Sequence, residues 1–234
     1  MKLLVTTQAD KNIKNITQIT HPLFKKFAKK WGADFYVINN PSDCFKTIGK
    51  YHESVDHYRI LNIYELYEKY DRILYLDSDM IINKNCPNIF KEVPYESIGV
   101  AYEDCGGRKE NRRERIQEIQ SKFGNVQWET GFPNVGTFIT SKIHKNIFTP
   151  IEGEWWLDLG YDCTLLGYQF NKFKFPIQEL SFKWNHMSMF SESWNHFANR
   201  FNSYIIHYAG AGVFERGINN REEQIKKDFK IIYN

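Results

Sequence analysis

The chain carries only four cysteines, Cys44, Cys86, Cys105 and Cys163, and no Cys-x-x-Cys pair. That spacing excludes a zinc ribbon or a dithiol redox motif, so reduced, buried thiols are expected. Long apolar runs are missing as well. No stretch approaches the roughly 20 residues that span a bilayer. The apolar start gives way at Thr6-Thr7-Gln8, too soon for a signal peptide, and a cytoplasmic, intracellular location is expected. No charge sign dominates, because 31 Lys and Arg against 28 Asp and Glu leave a net charge of +3. Such a balance excludes the electrostatic footprint of a nucleic-acid binder and the composition of a disordered chain. Repeats and low-complexity segments are also absent. What remains is an ordinary globular composition that is rich in aromatic residues, at 16%. A chain of 234 residues buries roughly 70% of its unfolded surface on folding, and one domain over 1–234 is expected.

The most informative stretch is Tyr70-Asp71-Arg72-Ile73-Leu74-Tyr75-Leu76-Asp77-Ser78-Asp79-Met80-Ile81-Ile82. An apolar run of strand length suits a buried parallel strand, and it ends abruptly in two carboxylates. Residues two apart on an extended backbone point the same way, so Asp77 and Asp79 can face one hard cation. The carboxyl ends of strands are also where open α/β sheets bind ligands. Asp and Ser are equally at home in a turn, and an aspartate after a strand can serve as a nucleophile.

The other elements follow in chain order. Lys2 to Thr7 reads as a first strand with a polar exit at Thr6-Thr7-Gln8-Ala9-Asp10. A helix follows, with Pro22 in its first turn, Phe24, Phe27, Ala28 and Trp31 on one face, and Gly32 as its stop. Ala33 to Ile38 gives a second strand and hence a β-α-β opening. Ser54 to Tyr70 reads as a helix with a stripe of Ile60, Ile63, Tyr64 and Tyr67, and Arg59 near its start is either solvated or aimed at a bound phosphate or sugar. Ser97 to Tyr102 is a strand candidate, and the charged segment from Arg108 to Arg115 merges into a helix ending at Gly124. Mixed signs there fit a solvated helix, and Gly106-Gly107 would suit a hinge if the segment covered the site. Asn134 and Gly136 open a β-prone run, offering a donor, an acceptor and room for close backbone approach. Asp162 sits at a helix start, where capping is its ordinary role. Tyr204 to Gly210 is a short strand ending in His207, either a satisfied structural histidine or the third ligand of a carboxylate site.

In their order these motifs resemble the glycosyltransferases of the GT-A fold, in particular the glycogenin-like retaining family 8, over nearly the whole chain. Asp77-Ser78-Asp79 resembles the family's Asp-x-Asp, Asn134-Val135-Gly136 its Asn-Ala-Gly segment, and Asp162 the Asp of its Asp-Gln segment. His207-Tyr208-Ala209-Gly210 resembles the start of its His-x-x-Gly-x-x-Lys motif. Two positions depart from the pattern. Cys163 stands for the Gln and Val213 for the diphosphate-binding Lys, with Arg216 the candidate substitute.

The resemblance implies an α/β fold with a mixed central sheet flanked by helices, and a hexosyltransferase-like enzyme moving sugar from a nucleotide sugar, a UDP-sugar in the first instance, to a hydroxyl of a glycan or other acceptor. It implies Mn²⁺, or else Mg²⁺, on Asp77, Asp79 and His207, because a divalent ion stabilises a departing diphosphate. Thr6, Thr7 and Asp10 would lie near base and ribose. Arg59, Asn134, Gly136, Ser78 and Gly210 would lie near diphosphate and sugar. If configuration is retained, Asp162 positions the sugar and stabilises its cation; if it is inverted, Asp162 is the base that deprotonates the acceptor. Three rivals differ in class. An aspartate-nucleophile phosphotransferase would carry Thr where Ile81 stands, and a sugar-1-phosphate nucleotidyltransferase would carry a Gly-rich basic loop after the first strand. A non-catalytic nucleotide-sugar or glycan-binding domain would look the same in sequence and differ only in turnover.

Overall fold

The computed structural model describes residues 1–9, 11–39, 57–190 and 193–234. Its main sheet has the order β2-β1-β3-β6-β5-β7, built from β1 (Leu3–Gln8), β2 (Asp34–Ile38), β3 (Arg72–Leu76), β5 (Ile98–Tyr102), β6 (Pro133–Ser141) and β7 (Ile177–Glu179). β1 runs parallel to β2 and β3, whereas β6 runs antiparallel to both β3 and β5, so the sheet is mixed as expected. A small second sheet pairs β4 (Met80–Ile82) with β9 (Ile205–His207) and β9 with β8 (His186–Met187).

β3 is central and every one of its residues is buried. Successive side chains of a strand point to opposite faces, and the two faces of β3 feed two cores. Ile73 and Tyr75 join the cluster that holds Tyr58, Tyr67, Phe138 and Leu165. Leu74 and Leu76 join Phe24, Phe27, Ile206 and Ile225 on the other side. A strand buried on both faces cannot alternate apolar with polar residues, which is why Ile73 to Leu76 reads as an unbroken apolar run.

Helix α1 (Lys14–Trp31) ends at Gly32 in the left-handed conformation, φ 73°, the stop that a residue without Cβ allows. Its start lies eight residues before Pro22, which is an interior residue rather than part of the first turn. Pro22 and Gln18 are both exposed, so water can satisfy the Gln18 carbonyl that loses its amide partner, and Ile16, Ile19 and Thr20 anchor the extra turns. The segment expected as one helix from Ser54 also differs. Within its described part, a 3-10 turn covers His57–Asn62 and α2 only Ile63–Leu66. Tyr58, Ile60, Leu61, Ile63 and Tyr67 are all buried while Tyr64 is exposed. An apolar set that wide does not fit one helical stripe, and the tighter 3-10 spacing turns more of it inward.

Further along come α3 (Ile89–Glu92), α4 (Lys109–Phe123), α5 (Tyr161–Lys172) and α6 (Arg221–Tyr233). α6 is capped by Asn220, whose side chain accepts the Glu223 amide, and it is fastened by one buried carboxylate. Asp228, fully buried, accepts from Arg200 Nε and Nη2 at 2.7 and 2.8 Å, from the Tyr208 hydroxyl at 2.8 Å and from Gln224 Nε2 at 3.0 Å. Removing the carboxylate leaves the buried Tyr208 hydroxyl without its acceptor and Arg200 with Glu215 as its remaining carboxylate partner. Asp228→Ala is therefore expected to cost about 1–3 kcal/mol, seen as a lower urea midpoint at unchanged m-value; an unaltered midpoint would show that the network contributes nothing.

No helix among the described residues is long and apolar enough to cross a membrane.

Candidate functional site

Where β6 parts from β5, its register jumps from the pair Val100–Phe138 to the pair Ala101–Asn134, while β6 stays paired to β3 as far as Leu76–Thr137. The irregularity presses Asn134-Val135-Gly136 against the end of β3, where the Asp77 amide donates to the Gly136 carbonyl at 2.8 Å. Chain geometry alone thus brings two of the sequence motifs into contact.

Asp77 leaves β3, Asp79 leads into β4, and His207 ends β9 opposite Met80. One ligand atom from each of the three lies within 4.8 Å of the others. His207 Nε2 stands 3.5 Å from Asp77 Oδ2 and 3.4 Å from Asp79 Oδ1. Asp77 Oδ1 accepts from the Tyr75 hydroxyl at 3.0 Å, and the Asp79 carbonyl accepts the Tyr208 amide at 3.0 Å. Two carboxylates and an imidazole form a donor set suited to Mn²⁺. A Cβ added at Gly136 would lie 2.7 Å from both Asp77 Oδ2 and His207 Cε1, so glycine is what leaves space between the ligands.

Ser78 faces inward. Its hydroxyl donates to the Gln8 carbonyl and also meets Thr7 Oγ1 at 2.9 Å and His21 Nε2 at 3.2 Å, while its carbonyl accepts from Thr20 Oγ1 at 2.7 Å. Burial lowers the His21 pKa to about 4, so the ring is neutral at pH 7 and able to donate to Ser78. The Asp-Ser-Asp turn is therefore held to β1 and α1 through its middle residue.

The three candidate ligands line a cleft of about 660 Å³, within the range of small-ligand sites. Arg59, Ser78, Asn134, Gly136, Asp162 and Gly210 share its wall. Thr6 and Thr7 do not. Both are fully buried, the Thr6 hydroxyl donating to the Tyr36 carbonyl at 3.1 Å, and the cleft is lined instead by Gln8 and Ala9. Asp10 lies outside the described residues. Asp162 stands in the first turn of α5 and accepts the Cys163 amide at 2.9 Å, but the cap position itself is Gly160. Cys163 also lines the cleft; burial and the neighbouring Asp162 carboxylate keep its thiol neutral, well above the usual range.

Sequence reading missed Arg221. Its Nη1 pairs with Asp79 Oδ2 at 2.7 Å, and its Nη2 donates to the Gly210 carbonyl. Its stem lies against Gly212, where an added Cβ would come within 2.5 Å of it. Arg216, the expected substitute for the missing lysine, is exposed and does not line the cleft. Arg108, Arg112 and Glu103 also line the cleft, so the start of the charged helix belongs to the cleft rather than to solvent alone.

Burial alone would lower the His207 pKa, but the Asp79 and Asp77 carboxylates outweigh it and raise it above its ordinary value. Burial likewise pushes the Asp79 carboxyl up, and His207 and Arg221 together bring it below its ordinary value. In the metal-free protein the pair stabilises the fold in the window where both are charged. Its contribution is fully present below the unfolded histidine pKa and is lost as pH rises through the raised His207 value; at the acid end it is lost as pH falls through the lowered Asp79 value. Urea midpoints of metal-free wild type and His207→Gln are expected to converge on going from pH 6 to pH 9; a gap independent of pH would contradict this.

A profile of glycosyl transferase family 8 matches residues 1–212. The chain belongs to that family and is a nucleotide-sugar-dependent glycosyltransferase. Its fold is similar to that of the galactosyltransferase LgtC, solved with donor and acceptor sugar analogues, at 14% identity over 99% of this chain and 96% of that one, TM-score 0.64. It is also similar to the bifunctional glycosyltransferase WbbM, at 14% identity, 99% and 50% coverage and TM-score 0.63. A third likeness is to the glycosyltransferase GlyE of Streptococcus pneumoniae, at 14% identity, 99% and 60% coverage and TM-score 0.59. The chain thus spans about half the length of WbbM. No curated protein matches it by sequence.

Proposed function

We propose that the protein transfers a hexose from a nucleoside-diphosphate sugar, with a UDP-sugar as donor, to a hydroxyl of a glycan or other acceptor, using a divalent cation and retaining anomeric configuration. One observation carries the cation: Asp77, Asp79 and His207 converge in a cleft whose floor, at Gly136, has no room for a side chain. Those three residues would hold Mn²⁺, with Mg²⁺ the alternative. When bound, such an ion supplies a Lewis acid that offsets the charge of a departing diphosphate.

The remaining work falls to the chain's own groups. Arg221 pairs with Asp79 and is within reach of an anion held beside that carboxylate, so we assign it the diphosphate contact that family members make through lysine. Arg59 adds a second cation along the same cleft. Asn134 marks the sugar end, and Asp162, on the same wall, is assigned to orient the sugar and stabilise positive charge at its anomeric carbon. Thr7 acts from behind the wall by meeting the Ser78 hydroxyl that holds the Gln8 carbonyl, Thr6 ties β1 to β2, and base and ribose would lie at Gln8 and Ala9. Family 8 membership supports retention. Proton NMR of the first-formed product tests it: an anomer of the donor's configuration is expected, and the opposite anomer would make Asp162 the base of an inverting enzyme. Residues 1–234 acting as one catalytic domain belong to the same reading.

A further inference from the structure

His207 can serve a cation only through an unprotonated nitrogen, and its two ring nitrogens are distinguished by what each one meets. Nε2 faces Asp77 and Asp79, and Nδ1 lies 2.8 Å from Oδ1 of Asn185. Asn185 is fully buried and its amide is committed on both sides, with Nδ2 donating to Asn134 Oδ1 at 2.8 Å. Asn134 is committed in turn: Oδ1 also accepts the Gly136 amide at 3.1 Å, and Nδ2 donates to Glu103 Oε2 at 2.7 Å. Glu103, itself buried, accepts from Arg112 through its other oxygen.

This chain has a direction. A backbone N–H can only donate and a carboxylate can only accept, so Gly136 and Glu103 fix which way the Asn134 amide faces. Asn134 then fixes Asn185, leaving an oxygen and not an NH₂ opposite His207 Nδ1. An acceptor there holds the ring proton on Nδ1 and leaves the Nε2 lone pair pointing at the two carboxylates.

We propose that Asn185 is a positioning residue that sets the tautomer of His207 for cation binding and couples it to Asn134 at the sugar end of the cleft. The proposal rests on the functional reading above for the cation, but its statement about the ring proton stands without one. Groups that orient a metal-binding histidine through its other nitrogen are worth roughly 10–100-fold in metal affinity.

The test compares Asn185→Ala with Asn185→Asp, each checked for folding by thermal melting. Asp keeps an acceptor for Nδ1–H but cannot donate to Asn134, whereas Ala can do neither. Nitrogen-15 NMR of the metal-free protein at alkaline pH, where the ring is neutral, should place the His207 proton on Nδ1 in wild type and Asn185→Asp, and on Nε2 in Asn185→Ala. Mn²⁺ binding in the presence of UDP, followed by electron paramagnetic resonance, should weaken about 10–100-fold in Asn185→Ala and stay within a few-fold in Asn185→Asp. Turnover should nevertheless fall in Asn185→Asp, because Asn134 Oδ1 loses the donor that Asn185 supplies. A wild-type proton on Nε2, or the same tautomer in wild type and Asn185→Ala, would overturn the proposal. Absence of Mn²⁺ binding to wild type would instead sink the proposed function, with the NMR comparison still deciding the role of Asn185.

Discussion

Gly136→Ala is expected to abolish cation-dependent nucleotide binding in a protein that still folds. The added methyl would sit 2.7 Å from Asp77 Oδ2 and His207 Cε1 and 3.0 Å from Asn134 Oδ1, closer than carbon approaches such atoms without displacing them. All three neighbours are groups that the account places around the cation and the sugar. Moving either ligand out of this clash, or shifting β6 away from β3, opens the Asp77–Asp79–His207 constellation. Backbone strain is not the mechanism, because the effect comes from the methyl alone. Loss of a cation's charge stabilisation is worth several kcal/mol, so turnover should fall by about 10³-fold. Circular dichroism should stay that of a folded protein, with a loss of stability no greater than about 1–3 kcal/mol, the cost of overpacking a buried site. Wild-type Mn²⁺ affinity in Gly136→Ala would show that the space between the ligands has no functional meaning.

Arg221→Ala should separate anion binding from cation binding. The guanidinium pairs with Asp79, so removing it leaves that carboxylate more available. Mn²⁺ alone should bind the variant at least as tightly as wild type. Turnover of the nucleotide sugar should fall by about 10²–10³-fold, the usual cost of losing one donor to a developing anion. Arg221→Lys should recover part of it, lysine being the residue that the family places on the diphosphate. If Arg221→Ala weakens Mn²⁺ binding and leaves nucleotide handling intact, Arg221 is a structural partner of Asp79 and nothing more.

What the sequence showed of this site follows a physical rule. Asp77 and Asp79 were legible because β3 is buried on both faces, so its unbroken apolar run ends sharply where the chain meets the cleft. His207 was legible for the same reason at the end of β9. Gly136 stood out as a glycine within a β-prone run. Arg221 gave no such signal. It lies beyond the Gly217 turn, in the first turn of a different element, and reaches back because Gly212 leaves room for its stem. Asn185 gave no clear signal, since Lys183-Trp184-Asn185-His186 is chemically ambiguous until its hydrogen bonds are seen. Thr6 and Thr7 misled in the opposite direction. Their hydroxyls looked like a polar exit from the strand, yet each is satisfied within the fold and both residues are fully buried. Helix boundaries at Pro22 and around α2 were set by packing rather than by local preference, which a single sequence does not display.

The central claim is that this cleft binds a nucleoside diphosphate through a cation held by Asp77, Asp79 and His207. The most direct measurement incubates the protein with a panel of nucleoside-diphosphate sugars, with Mn²⁺ or with a chelator, and follows nucleotide release, with Asp79→Ala as the control. Release from a UDP-sugar that requires Mn²⁺ and disappears in Asp79→Ala is the predicted result. Release that proceeds equally with chelator, or that survives in Asp79→Ala, would contradict it.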